Sequence, residues 1–196
     1  MSYGVYPKEG KGYNKHVLFN NQGELEIDYA KRYLVGLGDL FGETRIYYKG
    51  PEVIQAVDTP YGRIGVSICK DMAFASYIRQ AGKMEIDIML SPSYDVPKSR
   101  GPWYSLRAIE NGFSIVRPVY NGYSYAMDYN GKLLAHMDSD NTDDGIMYAE
   151  VPTKGINTIY SVTGDLLGWF SVIGLFLSIM ALIIFRVRKK SVAKTA

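Results

Sequence analysis

The alternation of apolar and polar residues predicts a β-hairpin near the start of the chain. Residues 15–20 and 24–29 alternate between the two classes, and Asn20-Asn21-Gln22-Gly23 between them consists of turn-forming residues. Lys31 follows at the end of the second strand, and residues 31–43 are rich in glycine. We therefore expect a loop here whose backbone can come close to a site.

A buried strand is predicted at residues 63–68, where apolar β-forming residues follow the turn sequence Thr59-Pro60-Tyr61-Gly62. The spacing of apolar residues over 72–81 is typical of a helix. Cys69, the chain's single cysteine, then lies on a strand-to-helix elbow. Such an elbow can hold a nucleophile rigidly at the edge of a sheet, facing a pocket.

The second half of the chain predicts a further helix and several strands. Residues 101–111 have helical spacing, with Gly112 as the expected C-cap. Asn121-Gly122 and Asn130-Gly131 predict tight turns. The predicted strands are 85–91, 113–119, 123–128, 132–136 and 145–151. Strands that alternate with helices and then give way to hairpins favour an α/β sandwich.

The C-terminal segment predicts a membrane-spanning helix. Residues 166–185 are twenty uncharged, mostly apolar residues, which at about 1.5 Å per residue suffice to cross a hydrocarbon core of about 30 Å. Trp169 and Phe170 lie near one end, and basic residues follow the other. By the positive-inside rule we expect residues 186–196 to be a cytoplasmic tail and residues 1–160 to be an extracytoplasmic domain of a cell-membrane protein.

The charge distribution argues against nucleic acid as a partner. The net charge is +2, but the last eleven residues contain five basic side chains and no acid. The other 17 basic and 20 acidic side chains leave the rest of the chain at −3. One cysteine excludes an intrachain disulfide and a multi-cysteine metal cage, and His16 and His136 are too far apart in sequence to indicate zinc. We expect neither a metal nor a cofactor.

Several motifs, taken in order, resemble those of one enzyme family. They are Tyr29-Ala30-Lys31-Arg32-Tyr33-Leu34-Val35, Gly65-Val66-Ser67-Ile68-Cys69, Arg107-Ala108-Ile109-Glu110-Asn111-Gly112, Arg117, Asn121-Gly122-Tyr123-Ser124, Asp128-Tyr129-Asn130-Gly131 and Thr158-Ile159-Tyr160 with Gly164-Asp165. The ordered set resembles the nitrilase (carbon–nitrogen hydrolase) superfamily, and within it the bacterial apolipoprotein N-acyltransferases. The resemblance implies a partial nitrilase-like α-β-β-α sandwich followed by one transmembrane helix.

The resemblance also implies a reaction. Cys69 would attack the ester carbonyl of a phospholipid and hold the acyl group as a thioester. Lys31 would stabilise the thiolate and the oxyanion of the tetrahedral intermediate. The amine of a lipid-modified cysteine in a lipoprotein would then take the acyl group. Phospholipid, lipoprotein and membrane are therefore the expected partners.

A second acid is expected to position this lysine. By spacing it falls on Asp39, and by local motif it falls on Glu43. Asp39 is favoured because it requires no gap. Ser93 and Tyr94, at the end of the strand at 85–91, are expected to support the site or bind substrate.

The residues after the nucleophile depart from the family pattern. Asp71 stands where the acyltransferases carry Glu, and Lys70 stands where an aromatic residue is common. Lys70 is either an additional cation beside Cys69 or a lysine that points to solvent, and the second interpretation is slightly favoured. Gly36 replaces the usual proline of the lysine loop.

The general-base glutamate of the family is expected well upstream of the lysine, but only thirty residues precede Lys31. Glu9, Glu24 and Glu26 lie in the wrong context to replace it. Three hypotheses stay open: a fragment or split half of an N-acyltransferase, whose companion chain supplies the glutamate and the other membrane helices; a membrane-anchored amidase; and a non-catalytic, membrane-tethered protein.

Overall fold

The computed structural model describes residues 2–5, 10–37, 40–96, 104–139 and 145–195, with the backbone alone for 2–5, 95–96 and 187–195. The chain divides into two compact units, Met1–Val162 and Thr163–Ala196. The first unit is a mixed α/β fold, and the second consists mostly of one long helix.

A small antiparallel sheet contains β1 (Ser2–Val5), β2 (Tyr13–Phe19) and β3 (Leu25–Ala30), in that order. The predicted hairpin is confirmed, because β2 pairs with β3 and Lys15 lies opposite Ala30. The side chain of Asn20 closes the turn by accepting a hydrogen bond from the backbone of Gln22. Strand β1 was not predicted, because residues 1–12 are mostly polar and glycine-rich.

The glycine-rich segment after Lys31, predicted as a loop, contains regular secondary structure. It contains the two-residue strands β4 (Gly36–Leu37) and β5 (Phe41–Gly42), which pair antiparallel, and the single-turn helix α1 (Glu43–Ile46). The close approach of the two strands requires glycine: a Cβ added to Gly42 would lie 2.4 Å from the carbonyl oxygen of Val35.

The larger sheet has seven strands. They are β6 (Gln55–Thr59), β7 (Gly62–Val66), β8 (Ile88–Leu90), β9 (Ser93–Val96), β10 (Ser114–Arg117), β11 (Val119–Met127) and β12 (Leu133–Asp138). Their order is β12-β11-β10-β8-β7-β6, with β9 paired to β11. The central strands β7, β8 and β10 are parallel. Consequently the nucleophile elbow follows the carboxyl end of β7, where sites commonly form in such sheets.

Two apolar clusters hold three layers together. Helices α2 (Ala75–Lys83) and α3 (Ser105–Asn111) cover one face of the large sheet, with Ile78 and Ala108 packed against residues such as Met89. On the opposite face Val66 and Ile68 pack against Ile27 and Tyr29 of the small sheet. The described residues therefore form the α-β-β part of the predicted sandwich.

Two local predictions were wrong. Asn121-Gly122 is not a turn, because both residues lie inside the continuous strand β11. Residues 119–122 of this strand pair with β9 and residues 125–127 pair with β10, so the Asn-Gly pair lies where the strand changes partners. Residues 145–151 form no strand, because they have no ladder partner among the described residues.

The helix predicted at 72–81 starts differently in the structure. A 3₁₀ turn spans Cys69–Ala73, and α2 begins only at Ala75, after the extended residue Phe74. The predicted C-cap is confirmed, since Gly112 ends α3 in the left-handed conformation with φ 77°.

The second unit contains α5 (Leu166–Thr195), which follows the short helix α4 (Ile159–Thr163). Within α5, Leu166–Arg186 has a mean hydropathy of 2.4 and none of its hydrophobic window is buried. By length and composition this segment is a candidate membrane span.

Candidate active site

Cys69 occupies a strained elbow three residues after the end of β7. Its φ of 48° places a non-glycine residue in the left-handed region, which costs of order 1 kcal/mol and is concentrated at functional sites. Two backbone contacts hold this conformation: the Cys69 N–H donates to the carbonyl of Pro92 at 2.9 Å, and Arg117 Nη2 donates to the Cys69 carbonyl at 3.3 Å. The side chain itself remains partly exposed, as a nucleophile must.

Arg117 supports the elbow that holds Cys69. It is fully buried, and its Nη1 donates to Ser91 Oγ at 2.7 Å. The guanidinium also lies over the ring of Tyr104, 4.6 Å from its centroid. Its supporting role was not predicted, although a single arginine in the otherwise apolar strand at 113–119 is a signal that could have indicated one.

Lys31 and Glu43 form the second part of the site. Lys31 is 2% exposed and follows β3. Its Nζ lies 2.8 Å from Oε1 and 2.6 Å from Oε2 of Glu43, the first residue of α1. Glu43 also accepts hydrogen bonds from Asn14 Nδ2 at 3.1 Å and from the Val35 N–H at 2.8 Å. The carboxylate is therefore fixed by charge-assisted bonds from several directions.

Of the two acids that the sequence offered as partner for this lysine, Glu43 makes the contact among the described residues. The β4–β5 hairpin lies between Lys31 and α1 and brings Glu43 back to the lysine. The second candidate, Asp39, lies outside the described residues.

Asp71 connects the lysine segment to the elbow. It is completely buried, and it accepts hydrogen bonds from the Ile68 N–H at 3.0 Å, the Tyr33 N–H at 2.7 Å and Tyr29 Oη at 2.6 Å. Burial raises the pKa of the Asp71 carboxyl, and these hydrogen bonds together with the Lys31 charge oppose that rise. Asp71 therefore fixes the position of Cys69 relative to Lys31.

Tyrosine side chains surround this carboxylate. Tyr29 Oη lies 3.0 Å from Tyr77 Oη on α2, and burial raises the pKa of Tyr29 and that of Tyr77 to about 12. Tyr33 stacks on Phe74 with ring centroids 3.5 Å apart. These rings close the space around Asp71, so its hydrogen bonds are made away from water.

The remaining residues that the sequence assigned to the site lie in different surroundings. Lys70 does not simply point to solvent, because its Nζ donates to the carbonyl of Leu34 at 3.3 Å and so contacts the lysine segment. Ser93 is buried, and its Oγ has no partner among the described residues. Tyr94 is exposed and stacks against Tyr120 with centroids 5.4 Å apart.

The arrangement provides a nucleophile and a cation and suits covalent acyl chemistry. A cysteine on a strained elbow can attack a carbonyl carbon, and a lysine fixed by its carboxylate can stabilise negative charge. The family's general-base glutamate is expected upstream of Lys31, and among the described residues no upstream glutamate pairs with this lysine. Its ion pair is made by Glu43, which follows it in the sequence. Within the described part of the chain, no three His, Cys, Asp or Glu side chains are grouped to hold a metal ion.

Comparisons with known proteins give a family match and several similar proteins. The carbon-nitrogen hydrolase family model matches residues 1–160. A deaminated glutathione amidase from Dictyostelium discoideum is 28% identical over 74% of the chain and 56% of the relative. An apolipoprotein N-acyltransferase from Haemophilus influenzae is 28% identical over 95% of the chain and 36% of the relative.

A solved structure has the same fold. The crystal structure of Saccharomyces cerevisiae Nit3, a member of the nitrilase superfamily, has a TM-score of 0.64 and 26% identity over 84% of this chain and 61% of Nit3. The chain spans a little over half the length of the amidase it matches.

Proposed function

The chain belongs to the carbon–nitrogen hydrolase family, and from that premise we propose that it takes part in acyl transfer through a thioester on Cys69. The donor is a phospholipid, and the acceptor is the N-terminal amine of a lipoprotein. Lys31, held by Glu43, stabilises the negative charge that develops during the reaction. The proposed reaction is that of an apolipoprotein N-acyltransferase, of which this chain supplies the cysteine and lysine segments.

The length over which the chain matches the acyltransferase supports the choice of a lipoprotein amine as acceptor. The match to the Haemophilus protein covers 95% of the chain, whereas the match to the Dictyostelium amidase covers 74%. Because the match covers 95% of the chain, the unmatched residues are far fewer than the thirty residues of helix α5, so the match includes part of that helix. The likeness to the acyltransferase thus extends beyond the catalytic unit into the apolar helix, which supports a substrate that resides in a membrane.

The proposed cycle has two half-reactions. In the first, the Cys69 thiolate adds to the ester carbonyl and the resulting oxyanion is stabilised by the Lys31 ammonium. The ester C–O bond then breaks, and the lysophospholipid leaves with a proton. In the second, the lipoprotein amine adds to the thioester carbonyl, the C–S bond breaks, and the amide forms as the thiol regains its proton. The acyl group therefore passes from oxygen to sulfur to nitrogen.

We propose that the general base comes from outside the residues described here. Glu24 and Glu26 are exposed beside Asn20 in the β2–β3 hairpin, and Glu43 is engaged by Lys31. A carboxylate from a preceding segment of a longer protein, or from a companion chain, would accept the proton of the Cys69 thiol.

The proposed location is a cell membrane crossed by Leu166–Arg186. The basic residues that follow this segment support a cytoplasmic tail. Residues 1–160 would then lie on the opposite side of the bilayer, where the acyl donor and the lipoprotein meet.

A second candidate is an amidase that transfers the acyl group to water. The specific observation in its favour is the 28% identity with an amidase over most of the catalytic unit. In that reaction the thiolate would expel ammonia from an amide, and water would hydrolyse the thioester.

The fate of a labelled acyl chain separates the two candidates. The full chain, together with its native membranes, is given a phospholipid with a labelled acyl group and a lipopeptide that has a free N-terminal amine. N-acyltransfer predicts labelled amide on the lipopeptide, and the same lipopeptide with an acetylated amine is the matched control. Labelled free fatty acid alone, at equal rates with either peptide, would contradict the proposal and favour the hydrolase.

A further inference from the structure

The hairpin between Lys31 and Glu43 exposes several apolar side chains to solvent. Leu40 is 76% exposed, and Val35, Leu37 and Phe41 are each at least 47% exposed. Leu37 lies opposite Phe41 in the β4–β5 ladder, so the two side chains share a face. We call Val35, Leu37, Leu40 and Phe41 the apolar loop. A cluster of this kind, unlike singly scattered surface residues, usually marks an interaction surface.

Exposed cations flank the apolar loop on its C-terminal side. Arg45 and Lys49 are both exposed, and the Lys11 ammonium is nearby because it donates to the carbonyl of Thr44 at 2.9 Å. The charge of Glu43 is engaged by Lys31. Apolar side chains bordered by lysine and arginine are the pattern by which a protein surface binds anionic lipid headgroups and the acyl region beneath them.

We propose that the apolar loop is a docking surface for an anionic lipid bilayer. This inference rests on the membrane attachment in the proposed function, since α5 would keep the first unit near a membrane and raise the effective concentration of the loop at its surface. Leu40 and Phe41 enter the acyl boundary, and Arg45 and Lys49 contact headgroup phosphates.

Docking of this loop acts directly on the catalytic lysine. One end of the loop is hydrogen-bonded to the carboxylate that holds Lys31, because the Val35 N–H donates to Glu43 Oε2 at 2.8 Å. The other end, Phe41, lies two residues before Glu43 in the chain. The Glu43 N–H also donates to the Val35 carbonyl at 2.6 Å. A bilayer that binds the apolar loop would therefore bring the Lys31–Glu43 pair close to the lipid substrate.

The single cysteine makes the test direct. In a Cys69→Ser background, a nitroxide is attached to the full chain at Leu40→Cys, at Tyr61→Cys or at Leu175→Cys. Tyr61 is an exposed control at the opposite end of β7 from the elbow, and Leu175 reports on α5. Each protein is reconstituted into vesicles of phosphatidylcholine with phosphatidylglycerol. Collisions of the nitroxide with oxygen and with a water-soluble nickel chelate then give its depth in the bilayer.

We expect the label at position 40 to lie about 5–10 Å below the headgroups, the depth of surface-bound segments, and the label at 61 to stay in water. A label at 40 as water-accessible as that at 61, with position 175 in the bilayer, would overturn docking and leave membrane attachment intact. Water accessibility at both 40 and 175 would overturn both. Broadening by a neighbouring spin at 40, without lipid contact, would also overturn docking, because a second copy of the chain would then cover the loop.

Discussion

Both carboxylate oxygens of Glu43 lie within 2.8 Å of the Lys31 ammonium, which is 2% exposed. Glu43 therefore fixes the position of this buried ammonium group.

Glu43→Gln should slow acylation of Cys69 by about 100-fold, since loss of a preorganised electrostatic group typically costs 10²–10³ in rate. Asp39→Asn should slow the rate far less, because Glu43 already makes the ion pair with Lys31. Acylation is measured by quantifying the Cys69 peptide in single-turnover experiments. The reverse ranking of the two variants would assign the positioning role to Asp39.

Local sequence patterns predicted individual elements of the fold better than the long-range contacts between them. The hairpin at 15–29 follows from period-two alternation and a local turn, both of which are readable within fifteen residues. Asp39 was favoured over Glu43 by spacing alone, and spacing contains no information about a small hairpin that brings a later residue back to Lys31. Such a return depends on long-range pairing, including the contact of Glu43 with Asn14.

The dependence on long-range pairing also explains why two elements were predicted wrongly. Asn121-Gly122 has the local chemistry of a turn, but β11 stays continuous because it pairs with β9 and then with β10. Residues 145–151 have strand propensity but no partner strand among the described residues, and propensity alone does not form a sheet. The elbow at Cys69, by contrast, follows from local sequence.

Asp71→Asn should lower the free energy of unfolding by about 1–3 kcal/mol. Both oxygens of Asp71 accept from backbone N–H groups, those of Tyr33 and Ile68, and an amide can replace only one of them. Tyr77→Phe is the matched control, because it removes one hydroxyl contact of Tyr29 and should cost about 1 kcal/mol. Pulse proteolysis of the full chain in urea and detergent measures both. Equal stability of Asp71→Asn and the native chain would contradict a connecting role for this carboxylate.

Protonation of the buried His16 should destabilise the folded chain in acid. Burial lowers the pKa of His16 to about 4 from an ordinary value of 6.5, so the unfolded chain binds the proton more readily than the folded chain between these values. Stability is therefore fully present above pH 6.5 and falls as the pH drops to about 4, by at most roughly 3 kcal/mol.

Urea unfolding of the native chain and of His16→Gln between pH 4 and 7.5 checks this. The difference in unfolding free energy between the two proteins should change across that range, with the sign just given. His136→Gln, at an exposed histidine, controls for loss of a surface imidazole. A difference between native and His16→Gln that stays constant with pH would rule out the buried, neutral imidazole.

Arg117→Lys should slow acylation while the chain still folds. The guanidinium reaches Ser91 Oγ and the Cys69 carbonyl with two nitrogens, and lysine keeps the charge but not this fork. We expect an increase in the proteolytic susceptibility of the elbow and a slower Cys69 acylation, compared with Arg79→Lys on the outer side of α2, whose guanidinium bonds the carbonyls of Ser161 and Val162. Identical acylation rates in the two variants would show that Arg117 does not position the nucleophile.

The most direct measurement is acylation of Cys69 by an activated ester. A p-nitrophenyl ester of a fatty acid needs no acid to protonate its leaving group, and at pH 9 hydroxide can deprotonate a thiol, whose ordinary pKa is about 8.5, without a general base. The full chain should release close to one p-nitrophenolate per molecule in a burst and carry the acyl group on Cys69. Lys31→Met should slow the burst by about 100-fold, and Cys69→Ser should abolish it. A burst of equal size in Cys69→Ser, or an acyl group on another residue, would contradict the central claim.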